Sequence, residues 1–167
     1  INAVKMTRAI ILAAGRGSRL HPYTENAPKC QTVLNGKSLI DRQIDTLRGA
    51  GIDDIVLATG YLAEKLAHLD LRRIHNPDWA NTNMVETLFN CDAEFGEDLL
   101  VCYSDIVYEP RVLTALLETS NELSVAVNTD WRAFWELRFE NPLEDAESLR
   151  LGEDGRILDI GSPVERI

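Results

Sequence analysis

The stretch Arg8-Ala-Ile-Ile-Leu-Ala-Ala14 is apolar without alternation and is closed by glycine, the pattern of a strand buried on both faces. Ser38 with Asp41 three residues on forms a capping-box pattern. Leu39, Ile40, Ile44 and Leu47 follow at helical spacing until Gly49 and Gly51, so the spacing predicts a helix over 38–48. Asp54 to Thr59 reads as a second buried strand, a short helical stretch follows around Ala63 to Leu69, and Arg72-Arg73-Ile74 fits a short third strand. Asn83 to Cys91 predicts a helix with Met84, Val85, Leu88 and Phe89 on one face. Leu99 to Tyr103 is another continuous apolar strand, ending at Ser104-Asp105. Pro110 opens a helix carrying Leu113, Leu116 and Leu117, and the strand-like Leu123-Ser-Val-Ala-Val127 comes next. After a Trp-rich acidic segment, Ser148 to Ile160 alternates around Gly152-Glu-Asp-Gly155, which predicts a hairpin leaving the main sheet. The repeated strand–helix order indicates an α/β domain with a largely parallel sheet. With no internal repeat or linker-like stretch, residues 1–167 read as a single domain.

Composition narrows the partners. Seventeen basic and 27 acidic side chains in 167 residues give a net charge of −10 and a pI near 4.7. That argues against a broad grip on nucleic acid or anionic lipid, both of which need a basic face. No apolar stretch approaches the ~18 residues of a membrane span, and the first residues lack the apolar core of a signal peptide. Cys30, Cys91 and Cys102 have neither paired spacing nor accompanying histidines, so no disulfide framework or zinc site is indicated and the expected compartment is the cytoplasm.

An anionic ligand must therefore meet a local basic cluster, and one follows the first strand: Leu12-Ala13-Ala14-Gly15-Arg16-Gly17-Ser18-Arg19-Leu20, continuing through Pro22 to Pro28-Lys29. A dinucleotide fingerprint would need glycine where Leu20 stands. A Walker A loop ending at Gly36-Lys37-Ser38 would need glycine at position 31, which is Gln31. What remains is a glycine-rich turn at the carboxyl edge of a buried strand, with Gly15 and Gly17 permitting close backbone approach. Arg16, Arg19 and Lys29 stand there against one acid, Glu25. Arginine forks and a lysine point charge suit polyphosphate oxygens. A left-handed turn beside scattered surface basics is the plainer alternative, but it leaves the combined spacing unexplained.

The pattern LAAGxGxRLxPxTxxxPK, here Leu12 to Lys29 with Pro22, Thr24 and Pro28 in place, resembles the signature of the nucleotidyltransferases that join a nucleoside triphosphate to a phosphorylated sugar or alcohol. The resemblance implies a Rossmann-like three-layer α/β/α fold of GT-A type with a mainly parallel mixed sheet. It implies that Leu12, Ala13, Ala14, Gly15, Arg16 and Gly17 hold the triphosphate, that Arg19 meets the β- and γ-phosphates, and that Lys29 lies beside the α-phosphate. It also implies that Asp105 holds Mg²⁺, although a solvated strand-end or capping aspartate is the alternative. The family's second metal-binding aspartate is expected beyond Ile167. The reaction implied is attack of an acceptor phosphate oxygen on the α-phosphorus, with departure of pyrophosphate.

Asn81-Thr82-Asn83-Met-Val-Glu-Thr-Leu88 is similar to a segment of cytidylyltransferases of the phosphocholine and aminoethylphosphonate type, which implies CTP. These polar residues either face a base edge or cap the helix that follows. Asp130-Trp131-Arg-Ala-Phe-Trp135-Glu-Leu-Arg138 is similar to the acceptor-side segment of the same enzymes. There, indoles and an acid would suit a cationic head group and Arg138 its phosphate or phosphonate, unless the aromatics form a partly buried apolar patch. The expected partners are thus CTP, or another nucleoside triphosphate, and a small phosphorylated acceptor, with neither nucleic acid nor membrane. A sugar-1-phosphate nucleotidyltransferase and a non-catalytic nucleotide-binding module are the rival readings.

Overall fold

In chain order, the elements are β1 (Thr7–Ala13), β2 (Val33–Leu34), β3 (Lys37–Ser38), α1 (Leu39–Gly49), β4 (Ile55–Thr59), β5 (Arg72–His75), α2 (Met84–Phe89), β6 (Asp98–Tyr103), α3 (Pro110–Leu117), α4 (Trp131–Glu136), β7 (Glu147–Leu151) and β8 (Ile157–Pro163). The computed structural model describes residues 7–96, 98–144 and 146–163. They divide into two compact units, one ending at Ser124 and the other starting at Val125.

The first unit is built on β1. It pairs in parallel with β4 on one side, Ala9 opposite Ile55 through Ala13 opposite Thr59, and with β6 on the other, Thr7 opposite Asp98 through Leu12 opposite Tyr103. With β5 beyond β4, the sheet order is β5-β4-β1-β6 and every pairing is parallel. A strand flanked on both edges and covered on both faces must be apolar at every position, and Ala9, Ile10 and Ile11 are fully buried.

Alternate residues of β1 serve opposite faces, as the two-residue period of a strand requires. Ala9, Ile11 and Ala13 pack with Ile40, Ile44 and Leu47 of α1 and Leu113 of α3. Ile10 packs with Val56, Ala58 and Cys91, and Leu88 of α2 closes over this side. The first unit is therefore a helix–sheet–helix sandwich. The capping box at α1 forms as its residues predict: the Ser38 hydroxyl accepts from the Asp41 N–H at 3.1 Å.

Two expectations are corrected. Leu123 to Val127 forms no strand, and Leu123 is 82% exposed. Apolar alternation marks a strand only where a neighbouring ladder accepts its backbone groups, and none pairs with this segment. Met84, Val85 and Phe89 do not share the buried face of α2 with Leu88. All three are exposed, while Thr87 is buried, because α2 is short and the Asn76 side chain engages Thr87 at 3.0 Å. The structure also contains the β2–β3 hairpin, turned by Asn35 and Gly36, both at positive φ, as a two-residue type I′ connection requires.

In the second unit, β7 and β8 pair antiparallel, Leu149 opposite Ile160, with Gly155 at φ 77° in the turn. The hairpin expected over Ser148–Ile160 is present. No helix among the described residues is long and apolar enough to cross a membrane.

Order and direction of the strands fix where a ligand can sit. From β1 the chain passes through α1 to β4 and β5 on one side, then through α2 to β6 on the other. The carboxyl ends of β1 and β6 therefore flank the topological switch point of the sheet, where no connection closes the crevice.

Candidate active site

The loop after β1 is held by its own sequence. Gly17 takes φ +67°, and a Cβ there would lie 2.8 Å from Cβ of Lys29, so glycine lets the loop rest against the lysine stem. Its carbonyl accepts from the Leu20 N–H at 2.9 Å and from the Thr24 hydroxyl at 3.0 Å. Thr24 is 2% exposed, which accounts for a threonine within an otherwise open loop. Arg19 lies in the 3₁₀ turn Ser18–Leu20, and buried Pro28 precedes the turn Lys29–Gln31.

At the end of β6, the Ser104 N–H donates to the Leu12 carbonyl at 3.2 Å. This extends the β1–β6 ladder one step and sets Asp105 level with the loop. The Lys29 Nζ and an Asp105 carboxylate oxygen form an ion pair there, both side chains near 30% exposed (31% and 28%). Structure thus joins two residues singled out separately in the sequence. Cys30 is buried directly after Lys29, and burial pushes its thiol up to about 12, so it packs as a neutral group and is no nucleophile.

Among the described residues, no three His, Cys, Asp or Glu side chains gather as a ready-made metal cage. A strand-end carboxylate such as Asp105 nevertheless fits Mg²⁺, which keeps several waters and takes ligands from substrate phosphates.

Asn81, Thr82 and Asn83 are all engaged within the protein. The Asn83 side-chain oxygen accepts from the Val85 and Glu86 N–H groups at 2.9 and 3.2 Å, capping α2. The Thr82 hydroxyl donates to the Asp78 carbonyl at 2.8 Å, and the Asn81 amide donates to the Asp78 carboxylate at 2.6 Å. Beneath them Asn76, 2% exposed, donates to the Thr82 and Thr87 hydroxyls, each at 3.0 Å, and accepts from the Asp78 N–H at 2.9 Å.

Sequence reasoning missed the neighbouring edge. Directly after β4, Gly60 has no room for a side chain: a Cβ would lie 2.6 Å from Cβ of Trp79 and 2.7 Å from the Ala14 carbonyl oxygen. The Tyr61 N–H donates to that carbonyl at 2.9 Å. The rule that ligands gather at strand carboxyl ends, applied to β4 as it was to β1, would have pointed to both residues. Gly60→Ala should push the strand end away from the loop. It is expected to destabilise the fold by about 1–3 kcal/mol through overpacking, measured by chemical denaturation.

In the second unit, Asp130 and Trp131 stand at the start of α4. The Trp135 ring carries the Arg138 guanidinium at 5.3 Å, and the Trp131 ring carries that of Arg132 at 5.8 Å. Trp135 and Arg138 are therefore brought together.

A glycine-rich loop and a lysine at the switch point of a parallel sheet suit the phosphates of a nucleotide, and a strand-end aspartate suits the cation that accompanies them. The chain belongs to the MobA-like NTP transferase domain family, which it matches over residues 9–149, in agreement with the resemblance read from Leu12–Lys29. It is 39% identical over 165 residues to the CTP:phosphoglutamine cytidylyltransferase of Campylobacter jejuni, a match that covers 92% of this chain and 64% of that protein. A solved CTP:phosphocholine cytidylyltransferase of Streptococcus pneumoniae is 38% identical, with a TM-score of 0.57 over 60% of this chain and 45% of that one. The inositol-1-phosphate CTP transferase of T. maritima is 20% identical with a TM-score of 0.72, covering 99% of this chain and 67% of its own; it shares the fold. The chain thus spans less than two thirds of the length of the Campylobacter and pneumococcal relatives.

Proposed function

We propose that the protein transfers CMP from CTP to a small phosphorylated or phosphonylated amino-alcohol and releases pyrophosphate. The observation that carries this reading is the Lys29–Asp105 pair beside the Gly15–Gly17 loop at the sheet's switch point. Cytidine is supported by the names of the Campylobacter and pneumococcal relatives. An acceptor oxygen forms a bond to the α-phosphorus as the bond from that phosphorus to the bridging oxygen breaks, and the electron pair leaves with pyrophosphate.

Two mutually repelling anions must be placed in line while charge develops on the leaving group, a task for fixed cations. Backbone N–H groups of Gly15 to Gly17 face the triphosphate from the strand end that Leu12, Ala13 and Ala14 bring to it, with Arg16 nearby and Arg19 on its β- and γ-phosphates. Lys29 stands by the α-phosphate. Asp105 would hold Mg²⁺, whose charge would offset that of the phosphates. Asn81, Thr82 and Asn83, held in shape by Asn76, form the base-side segment. Asp130, Trp131, Trp135 and Arg138 form the acceptor-side segment, where indole faces attract cations. The reducing cytoplasm is the proposed compartment, supported by three unpaired buried cysteines.

The test is pyrophosphate release with Mg²⁺, crossing CTP, UTP, GTP, dTTP and ATP with phosphocholine, 2-aminoethylphosphonate and glucose 1-phosphate. Release with CTP and an amino-alcohol acceptor is expected. Release only with the sugar phosphate would overturn the acceptor and keep Lys29 and Asp105 in their roles.

A further inference from the structure

The geometry points to Tyr61 as a positioning residue that clamps the triphosphate loop at three points and holds the Arg16 guanidinium in place for the nucleotide; this rests on the nucleotidyltransferase reading above. Tyr61 follows β4, not the loop itself, yet it reaches both ends of that loop. Its N–H donates to the Ala14 carbonyl at 2.9 Å, where the loop leaves β1. Its hydroxyl donates to the Glu25 carbonyl at 2.7 Å, where the loop returns. Between these tethers, the Arg16 guanidinium carbon lies 5.6 Å from the centre of the Tyr61 ring.

The ring is itself packed against a second aromatic. Trp79 meets it edge-on at 5.3 Å with the planes inclined at 61°. Gly60 lets Trp79 and the Ala14 carbonyl approach closer than any side chain would permit. The tyrosine is thus a rigid bridge between the sheet and a loop whose exposed Gly15 has nothing within 4 Å of where a side chain would begin.

A loop that must present several N–H groups to one polyphosphate loses affinity when it must first be ordered. Holding an otherwise flexible arginine against an aromatic face removes rotamer freedom before the ligand arrives. Tyr61 does this without standing among the reacting atoms. Its loss should therefore weaken the nucleotide and leave the acceptor and the chemical step largely unchanged.

Two substitutions separate the side-chain tethers from the backbone one, because leucine and phenylalanine at position 61 both keep the N–H. Tyr61→Leu removes ring and hydroxyl; Tyr61→Phe keeps the ring under Arg16 and removes only the hydroxyl. With CTP and phosphocholine, Tyr61→Leu is expected to raise the Kd and KM for CTP about 5-fold, the scale of a cation–π contact at an exposed site. The KM for phosphocholine should stay within about 2-fold, and Tyr61→Phe should recover much of the loss. Arg16→Ala combined with Tyr61→Leu should cost less in CTP affinity than the product of the single effects, as it must if Arg16 works through the ring.

An unchanged Kd for CTP in Tyr61→Leu, beside an active wild type, would overturn the clamp and leave the proposed reaction standing. So would parallel loss for CTP and phosphocholine together with a lowered unfolding midpoint in both Tyr61 variants, which marks a merely structural residue. A wild type that binds and turns over none of the five triphosphates removes the reaction, and the clamp with it. If the wild type uses a different triphosphate, the same comparison is made with that nucleotide, and independent effects of Arg16 and Tyr61 on it again overturn the clamp.

Discussion

Lys29→Met is expected to lower kcat by about 10³-fold, with a much smaller change in the Kd for CTP, because a fixed cation at the α-phosphate acts most strongly on charge that develops in the transition state. Methionine is the informative replacement. It keeps an unbranched stem against Gly17, where the glycine leaves room for the Lys29 methylenes, and removes only the ammonium group. The unfolding free energy should move by less than about 1 kcal/mol, because the pair with Asp105 is partly exposed and such pairs contribute little to stability. Steady-state kinetics beside denaturant titration decides the matter. A 10³-fold loss with an intact unfolding midpoint places the ammonium group in the chemistry. A change confined to CTP affinity would reduce Lys29 to a binding residue.

Asn76→Ala is expected to have the opposite profile, destabilising the protein by about 3 kcal/mol. The side chain is fully enclosed and satisfies three partners at once, the Thr82 and Thr87 hydroxyls and the Asp78 N–H. Its truncation takes a donor from the buried Thr87 hydroxyl and a partner each from the part-buried Thr82 hydroxyl and Asp78 N–H, and each group left short costs its desolvation. Local consequences follow from connectivity. Asp78 holds Asn81 and Thr82, and Asn83 caps α2, so loosening Asn76 should raise the KM for CTP more than that for the acceptor. Equilibrium unfolding followed by both circular dichroism and fluorescence measures the first effect, and kinetics at a temperature well below the midpoint measures the second. A loss of less than about 1 kcal/mol would show that the threonines find other partners.

These predictions differ because the two residues belong to different parts of the same edge. Lys29 faces the open crevice, and Asn76 lies under the segment that borders it. A related contrast holds for the ion-pair ring at the opposite end of the sheet, where Arg8 bonds Asp54 at 2.7 Å and Glu94 at 2.9 Å, and Arg72 joins both acids. That ring ties β1, β5 and the approaches to β4 and β6 together at their amino-terminal ends, where open parallel sheets do not bind ligands.

Local pattern alone settles the elements whose determinants lie within a few residues. An unbroken aliphatic run can bury both faces, so Arg8–Ala14 had to be an inner strand. Ser38 and Asp41 can satisfy free N–H groups at a helix start, so α1 had to begin there. Gly17, Thr24 and Pro28 confine the loop within a few residues of themselves, and the spacing from Leu12 to Lys29 was enough to indicate the family. Tertiary structure decided what depends on distant partners. Leu123–Val127 has the alternation of a strand but no ladder to join, and Met84, Val85 and Phe89 have helical spacing but stay half exposed. Asp105 meets Lys29 because β6 lies beside β1 in a register that ends both strands at one level. Tyr61 reaches Ala14, Arg16 and Glu25 because β4 occupies the other side of β1. Side-chain pattern specifies the backbone of a segment through forces acting over a turn or two, whereas sheet order and register set which remote side chains share the crevice.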